Sequence, residues 1–331
     1  MAVTSPWLDG VRAQLWSRES FSFIPDRQLP EPTGSPQRSQ GDDAPRLLFA
    51  GFPSDYSLAF LLGLLEQDVD LRGIITSPGA HPAILGHNAL SRIAEHLEIP
   101  ILRLWRVNDE HARTDIAALH PDAVVMASFD QIIGARALAI PPHGWLNIHP
   151  SALPLYRGPE PVYWTVADGA PTAGITLHRA APRFDAGPVL AQRIVDVAPD
   201  ETAGTLTRKL SRAGVDALPE ALGKLLADDP GTPLDMGAAT YRPSVGHRNL
   251  RTAGSAAEAE RMVRAGLPNM PAYLPTDDGR CLYVLAARRV DSCPEGRGLT
   301  WPDGALQLVE TSEACGCHHD EPDCPHRESP P

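Results

Sequence analysis

The sequence predicts an α/β fold: a Rossmann-like, doubly wound, mostly parallel sheet followed by a smaller C-terminal α+β domain. Three observations predict it. From Arg46 to His149, short apolar runs alternate with segments whose apolar residues fall at helical spacing, the pattern of parallel strands joined by helices. Several of these runs lack polar alternation, so both faces of those strands are covered. The sequence D-D-P-G-T-P at 228–233 then breaks the pattern, as a domain boundary does.

Residues 1–44 read as an accessory arm, partly disordered. Pro25, Pro30, Pro32 and Pro36 interrupt a polar stretch, the composition of a linker. Ahead of it, Leu8, Val11 and Leu15 fall at helical spacing between Trp7 and Trp16. One or two helical turns on a loosely held extension are expected.

The catalytic-domain reading covers 45–230. R-L-L-F-A-G-F from Arg46 is the first buried strand, with Gly51 and Pro53 turning the chain. Ser54 caps the helix over 55–67. Strands follow at 69–76, 99–104, 122–127 and 146–149, with helices at 87–97 and 109–119 between them. The first turn reads G-F-P-S-D. It lacks the paired glycines that admit a pyrophosphate, so a dinucleotide site is excluded. Ligands of such sheets bind outside the carboxyl ends of the strands. A helix at 159–168, an antiparallel pair at 172–180 and 188–197, and a long helix at 203–226 complete this part.

A small C-terminal domain is expected over 240–310. Ser255 and Glu258 form a capping box that starts a helix to about residue 265. Strands are expected at 280–290 and 305–310. Residues 311–331 form a Cys/His-rich tail. Cys315, Cys317, His318 and Cys324 are candidate ligands of a zinc ion there.

Composition bounds the function. The 331 residues carry a net charge of −12, which argues against a broad polyanion-binding surface. There is no basic flank with an apolar core at the N-terminus and no run long enough to span a membrane, so the expected compartment is the cytoplasm. All five cysteines lie at or beyond Cys281, which leaves no thiol nucleophile in the catalytic domain.

The densest signal is W-L-N-I-H-P-S-A-L-P-L-Y-R-G at 145–158. Asn147 and His149 share one face of a strand, since side chains at i and i+2 do. Pro150 ends that strand. An amide donor beside an acid/base group at a strand end suits chemistry on a carbonyl.

This segment resembles the signature of formyltransferases that use 10-formyltetrahydrofolate, including the methionyl-tRNA formyltransferase branch. Asn147, His149, Ser151, Leu153, Pro154, Arg157 and Gly158 fit its motif, and F-D-A-G-P supplies the matching Asp185 and Gly187. The resemblance implies that Asn147, His149 and Asp185 are catalytic. It implies that the loop after the fourth strand lines the folate site, with Phe129, Ile132 and Ile133 as walls, and that Ser151, Leu153 and Pro154 shape the loop over the formyl group. It covers about residues 46–230 well and 240–290 faintly, and the last part looks short for the small β-barrel of the tRNA-modifying members.

Those members place a basic insertion after the second strand to meet acceptor-stem phosphates. Here the matching segment, S-P-G-A-H-P-A-I-L-G-H-N at 77–88, has no Lys or Arg. Arg242, His247, Arg248, Arg251, Arg261 and Arg264 read as a solvated face. The expected acceptor is therefore a small amine, such as an amino sugar or hydroxylated ornithine, with no nucleic-acid or membrane partner. Methionyl-tRNA is the alternative acceptor, and a catalytically idle scaffold binding a metal or protein is the alternative class.

Overall fold

The computed structural model describes residues 3–22, 29, 32–38, 43–78, 88–277, 279–294 and 296–314. The chain divides into two units. The first holds residues 1–162, 171–197 and 204–243, and the second 163–170, 198–203 and 244–331.

Unit 1 is built on a seven-stranded sheet. Strands β1 (Val3–Thr4) and β2 (Gln37–Arg38) pair with each other, and the strands of the large sheet are β3 (Arg46–Gly51), β4 (Asp70–Thr76), β5 (Ile101–Arg103), β6 (Ala123–Ala127), β7 (Trp145–His149), β8 (Thr172–Arg179) and β9 (Val189–Asp196). They lie in the order β5-β4-β3-β6-β7-β8-β9. The first five run parallel, and β8 and β9 are antiparallel additions. Leu47, Leu48, Phe49 and Ala50 of β3 are wholly buried, which is why that run lacks polar alternation. One core cluster joins Leu48, Ala50 and Ile75 to Val124, Met126 and Trp145. The chain winds outward from β3 in both directions, so the crevice lies at the carboxyl ends near the β3–β6 pair.

Helix Asp55–Leu65 follows β3. Ser54 Oγ caps it by accepting from the Ser57 N–H at 3.1 Å. The Asp55 carboxylate in the first turn is buried and ties the helix to the segment before it. It accepts from Arg18 Nη1 at 2.8 Å and from the Ser22 N–H at 2.9 Å. Burial pushes its carboxyl pKa up against these partners.

The N-terminal arm departs from expectation. Pro6–Ser17 is a helix with Pro at its first position and Trp7, Leu8, Val11 and Leu15 buried. The Trp7 ring lies 4.7 Å from that of His96, and Ser5 Oγ pairs with His96 Nε2 at 2.8 Å. Burying each such apolar side chain is worth about 1.5–3 kcal/mol. Four on one face outweigh the ordering of a short helix, so this segment belongs to unit 1 rather than trailing from it.

The boundary also lies later than 230. Thr232 exchanges backbone hydrogen bonds with Val189 at 2.8 Å each way, and Thr240 N–H donates to Pro154 O at 3.1 Å. Residues up to Pro243 therefore stay with unit 1.

Unit 2 carries β10 (Tyr273–Pro275), β11 (Cys281–Val290), β12 (Gly298–Trp301) and β13 (Gly304–Ala314). They form an antiparallel sheet ordered β10-β11-β13-β12. Helix Ala256–Gly266 starts at Ser255, whose hydroxyl accepts from the Glu258 N–H at 3.0 Å. Met262 and Val263 pack with Val284 and Leu306. β13 runs into the expected tail, since Thr311–Ala314 pair with Val284–Cys281. The candidate zinc ligands Cys315, Cys317, His318 and Cys324 lie outside the described residues. Among the described residues no cluster of His, Cys, Asp and Glu is placed to hold a metal ion. Among them also, no helix is long and apolar enough to cross a membrane.

Candidate active site

β7 delivers Asn147 and His149, and the β8–β9 connection delivers Asp185. The three meet. Asn147 Nδ2 lies 3.3 Å from Asp185 Oδ1, and His149 Nδ1 lies 3.6 Å from the same oxygen. His149 and Asp185 are both buried.

Their orientation is fixed by the loop at 150–158. His149 Nε2 donates to Tyr156 O at 3.1 Å, which assigns the ring proton to Nε2 and turns Nδ1 toward Asp185. Ser151 Oγ donates to Leu155 O at 2.7 Å. Thr176 Oγ1 donates to Ser151 O at 2.7 Å and accepts from Leu153 N–H at 3.2 Å. The strap at 240–242 closes the far side, with Tyr156 N–H donating to Thr240 Oγ1 at 2.8 Å.

The Arg-Gly pair at the loop's end holds Asp185. Arg157 Nε donates to Asp185 O at 3.1 Å, and its Nη2 donates to Phe184 O. Gly158 N–H donates to Asp185 Oδ2 at 3.1 Å. Gly158 has φ 123°, and a Cβ there would overlap the carbonyl oxygen of Arg242. Only glycine fits. Asp185 itself sits at φ 45°, a left-handed conformation that Asp tolerates better than most residues.

One residue of the site was not foreseen. His178 on β8 lies directly across from Asn147. Its Nδ1 donates to Arg179 O at 2.9 Å, so its Nε2 is free to accept from Asn147 Nδ2 at 3.0 Å. Burial pushes His178 down to about 4, aided by the nearby His149 and opposed by Asp185. It is therefore neutral near pH 7 and serves as an acceptor that aims the amide. Its sequence signal was the antiparallel register of 172–180 against 146–149, which can be assigned only once pairing is known.

The expected folate-wall residues divide. Ile133 is buried in the core cluster and Phe129 packs against it, whereas Ile132 is 60% exposed. Their loop is tied to the segment after β5: Gln131 Nε2 donates to Leu104 O at 2.7 Å, and Asn108 Nδ2 to Ile132 O at 2.8 Å. Ser151 and Leu153 are buried in the loop beside the triad and Pro154 is half-buried there. The Ser151 hydroxyl is committed to closing the turn. Segment 77–88, read for its missing Lys and Arg, is described only at its ends.

A neutral amide, an imidazole and a carboxylate around one point make a donor, a proton carrier and a charge holder. That set serves attack by an amine on a carbonyl-type carbon. The relatives agree. The family profile described as "Formyl transferase" matches residues 67–222. The methionyl-tRNA formyltransferase of Roseiflexus castenholzii is 34% identical over 290 residues, covering 82% of this chain and 92% of that one. Two solved structures share the fold. A sugar N-formyltransferase from a Shewanella species has a TM-score of 0.58 at 20% identity, over 73% of this chain and 96% of that one. HypX from Aquifex aeolicus, solved with tetrahydrofolic acid, has a TM-score of 0.59 at 17% identity, over 83% and 46%. The chain belongs to the formyltransferase family and is an enzyme of formyl transfer.

Proposed function

We propose that this enzyme moves the formyl group of 10-formyltetrahydrofolate to the α-amine of methionyl-tRNA. The convergence of Asn147, His149 and Asp185 carries the chemistry. The donor, when bound, supplies an activated formyl carbon on an aryl nitrogen. The side chains present suit it, because a neutral amide donor stabilises charge on a carbonyl oxygen without a metal.

The roles follow from the hydrogen bonds. One Asn147 N–H is spent on His178. The other faces Asp185 at the longer distance of 3.3 Å, and it is the one that turns to the oxygen as negative charge develops there. The acceptor arrives as an ammonium; it loses one proton to solvent to become the attacking amine and a second as the new C–N bond forms. With Nε2–H committed to Tyr156 O, this second proton enters between His149 Nδ1 and Asp185 Oδ1. The pair acts as a unit, and the proton is returned from it to the departing nitrogen.

The acceptor reading rests on the similarity to the Roseiflexus methionyl-tRNA formyltransferase, which extends over 92% of that protein. A small amine is the second reading, favoured by the absence of Lys and Arg from 77–88. The test incubates the full chain with donor and, separately, methionyl-tRNA, a nucleotide-linked amino sugar and hydroxyornithine. Tetrahydrofolate release is followed by absorbance. Release only with methionyl-tRNA is the expected result, release only with a small amine selects the second reading, and none with any acceptor overturns both.

A further inference from the structure

Consecutive side chains in the first turn of helix Asp55–Leu65 each reach a different part of unit 1. Asp55 reaches back to the N-terminal segment, accepting from Arg18 Nη1 at 2.8 Å and from Ser22 N–H at 2.9 Å. The Tyr56 hydroxyl donates to Ile148 O at 3.1 Å, and Ser57 Oγ donates to Ala127 O at 2.7 Å. Ala127 and Ile148 are register partners at the carboxyl ends of β6 and β7. Adjacent hydroxyls therefore hold the carbonyls of paired residues. Ile148 lies between Asn147 and His149 in the chain.

The junction has little slack. Tyr56 and Ser57 are buried, and the Tyr56 ring meets Phe60 edge-on at 4.9 Å. A Cβ on Gly51 would lie 2.9 Å from both Ser57 Oγ and Ala127 O. Burial pushes the Tyr56 phenol well above its ordinary pKa, so it stays a donor. The N-terminal segment is itself pinned to helix Ala203–Leu226. Phe21 N–H donates to Gly204 O at 3.0 Å, Arg208 Nη2 donates to Trp16 O at 3.0 Å, and the Arg212 guanidinium lies 4.1 Å from the Trp16 ring centre. Asp55 is 2% exposed. A carboxylate so deeply buried is destabilised when its cation is removed and relaxes toward water. Tyr56 is its chain neighbour and moves with it.

We propose that the N-terminal segment is a positioning element of the active site: Arg18 and Ser22 fix Asp55, and through it the Tyr56 hydroxyl that holds the Ile148 carbonyl between Asn147 and His149. The proposal rests on the formyl-transfer reading. Neither Arg18 nor Tyr56 touches the reacting atoms in this scheme. They set where the amide and the imidazole stand.

Steady-state formyl transfer by the full chain tests it, with the acceptor that wild type uses and with Y56F, R18A, R18K and R12Q compared. A misplacement of ~1 Å can cost ~100-fold in rate, so the partial release in Y56F should lower kcat about tenfold at unchanged KM. R18A lowers kcat by a smaller factor, and R18K, which keeps a cation at Asp55, restores it. The R18A/Y56F double variant falls no further than Y56F, because both act through one contact. R12Q breaks the Arg12–Glu66 pair at the other end of the same helix and leaves kcat unchanged. Labelled-histidine NMR of the same variants, without donor or acceptor, reads the placement directly. His149 holds the Nε2–H form in wild type and a mixture of tautomers in Y56F and R18A. Wild-type kcat in Y56F, unmoved His149 signals, or losses that multiply in the double variant overturn the proposal. Tetrahydrofolate release by wild type is measured alongside. Its absence with every acceptor sinks the formyl-transfer reading, and the His149 signals then decide the placement alone.

Discussion

His178→Leu separates the aiming of Asn147 from the chemistry. Leucine fills similar volume but removes the acceptor at 3.0 Å from Asn147 Nδ2 and the donor at 2.9 Å from Arg179 O. Losing an oxyanion donor outright costs about 3 kcal/mol of transition-state stabilisation. A donor still present but unaimed loses part of that, so kcat/KM should fall about ten- to hundredfold. His178→Gln can accept from Asn147 and donate to Arg179 O, and should recover most of the activity. Stability supplies a second readout. The folded-state imidazole is held down to about 4 by burial, whereas the unfolded chain titrates near 6.5. The unfolded state therefore binds the proton first, and stability is lost as pH falls from 6.5 toward 4. Between pH 7 and 4.5 this amounts to roughly 2–3 kcal/mol. Urea unfolding at both values should show the difference shrink by that amount in His178→Leu. Wild-type formylation by His178→Leu, or a His178→Gln as impaired as the leucine variant, would refute the positioning role.

Three further outcomes are expected. Asn147→Ala and Asp185→Asn should each slow formyl transfer by roughly 10²–10³-fold with near-native unfolding midpoints, because one loses the oxyanion donor and the other the charge beside His149; near-wild-type single-turnover rates would remove both roles. Leu8→Ala should destabilise the fold by about 2–5 kcal/mol in urea titration, since Leu8 is 1% exposed in a packed site; a change below about 0.5 kcal/mol would mean the N-terminal helix is not part of the core. Burial pushes the Glu160 carboxyl up to about 7. The unfolded chain gives up this proton near 4.5, so stability falls as pH rises from about 4.5 to about 7. Glu160→Gln should flatten that window in thermal scans, and an unaltered slope would show that the carboxylate is solvated.

The legible parts of the fold were those set by local pattern. β3 and β6 are continuous apolar runs because both faces are buried, and Ser54 and Ser255 cap helices through contacts three residues long. The helix at 6–17 was undervalued because its apolar face gains nothing until helix Asp55–Leu65 and His96 are in place. The extent of unit 1 is not legible from Pro and Gly at 230–233, which mark a turn, because the pairing of Thr232 with Val189 and of Thr240 with Pro154 is long-range.

The chain's sequence alone supplied the candidate groups for the chemistry. Asn147 and His149 share a strand face by the two-residue repeat, and the resemblance to the formyltransferase signature points to Asp185 as the third member. Tertiary structure alone decided how they are held. Cross-strand register puts His178 opposite Asn147, Arg157 clasps the backbone on either side of Phe184, and Gly158 is obliged to lack a side chain by the carbonyl of Arg242. Each of these depends on residues 27 to 84 positions apart being brought within a few ångströms. Periodicity along a chain carries no information about such partners until the sheet has closed.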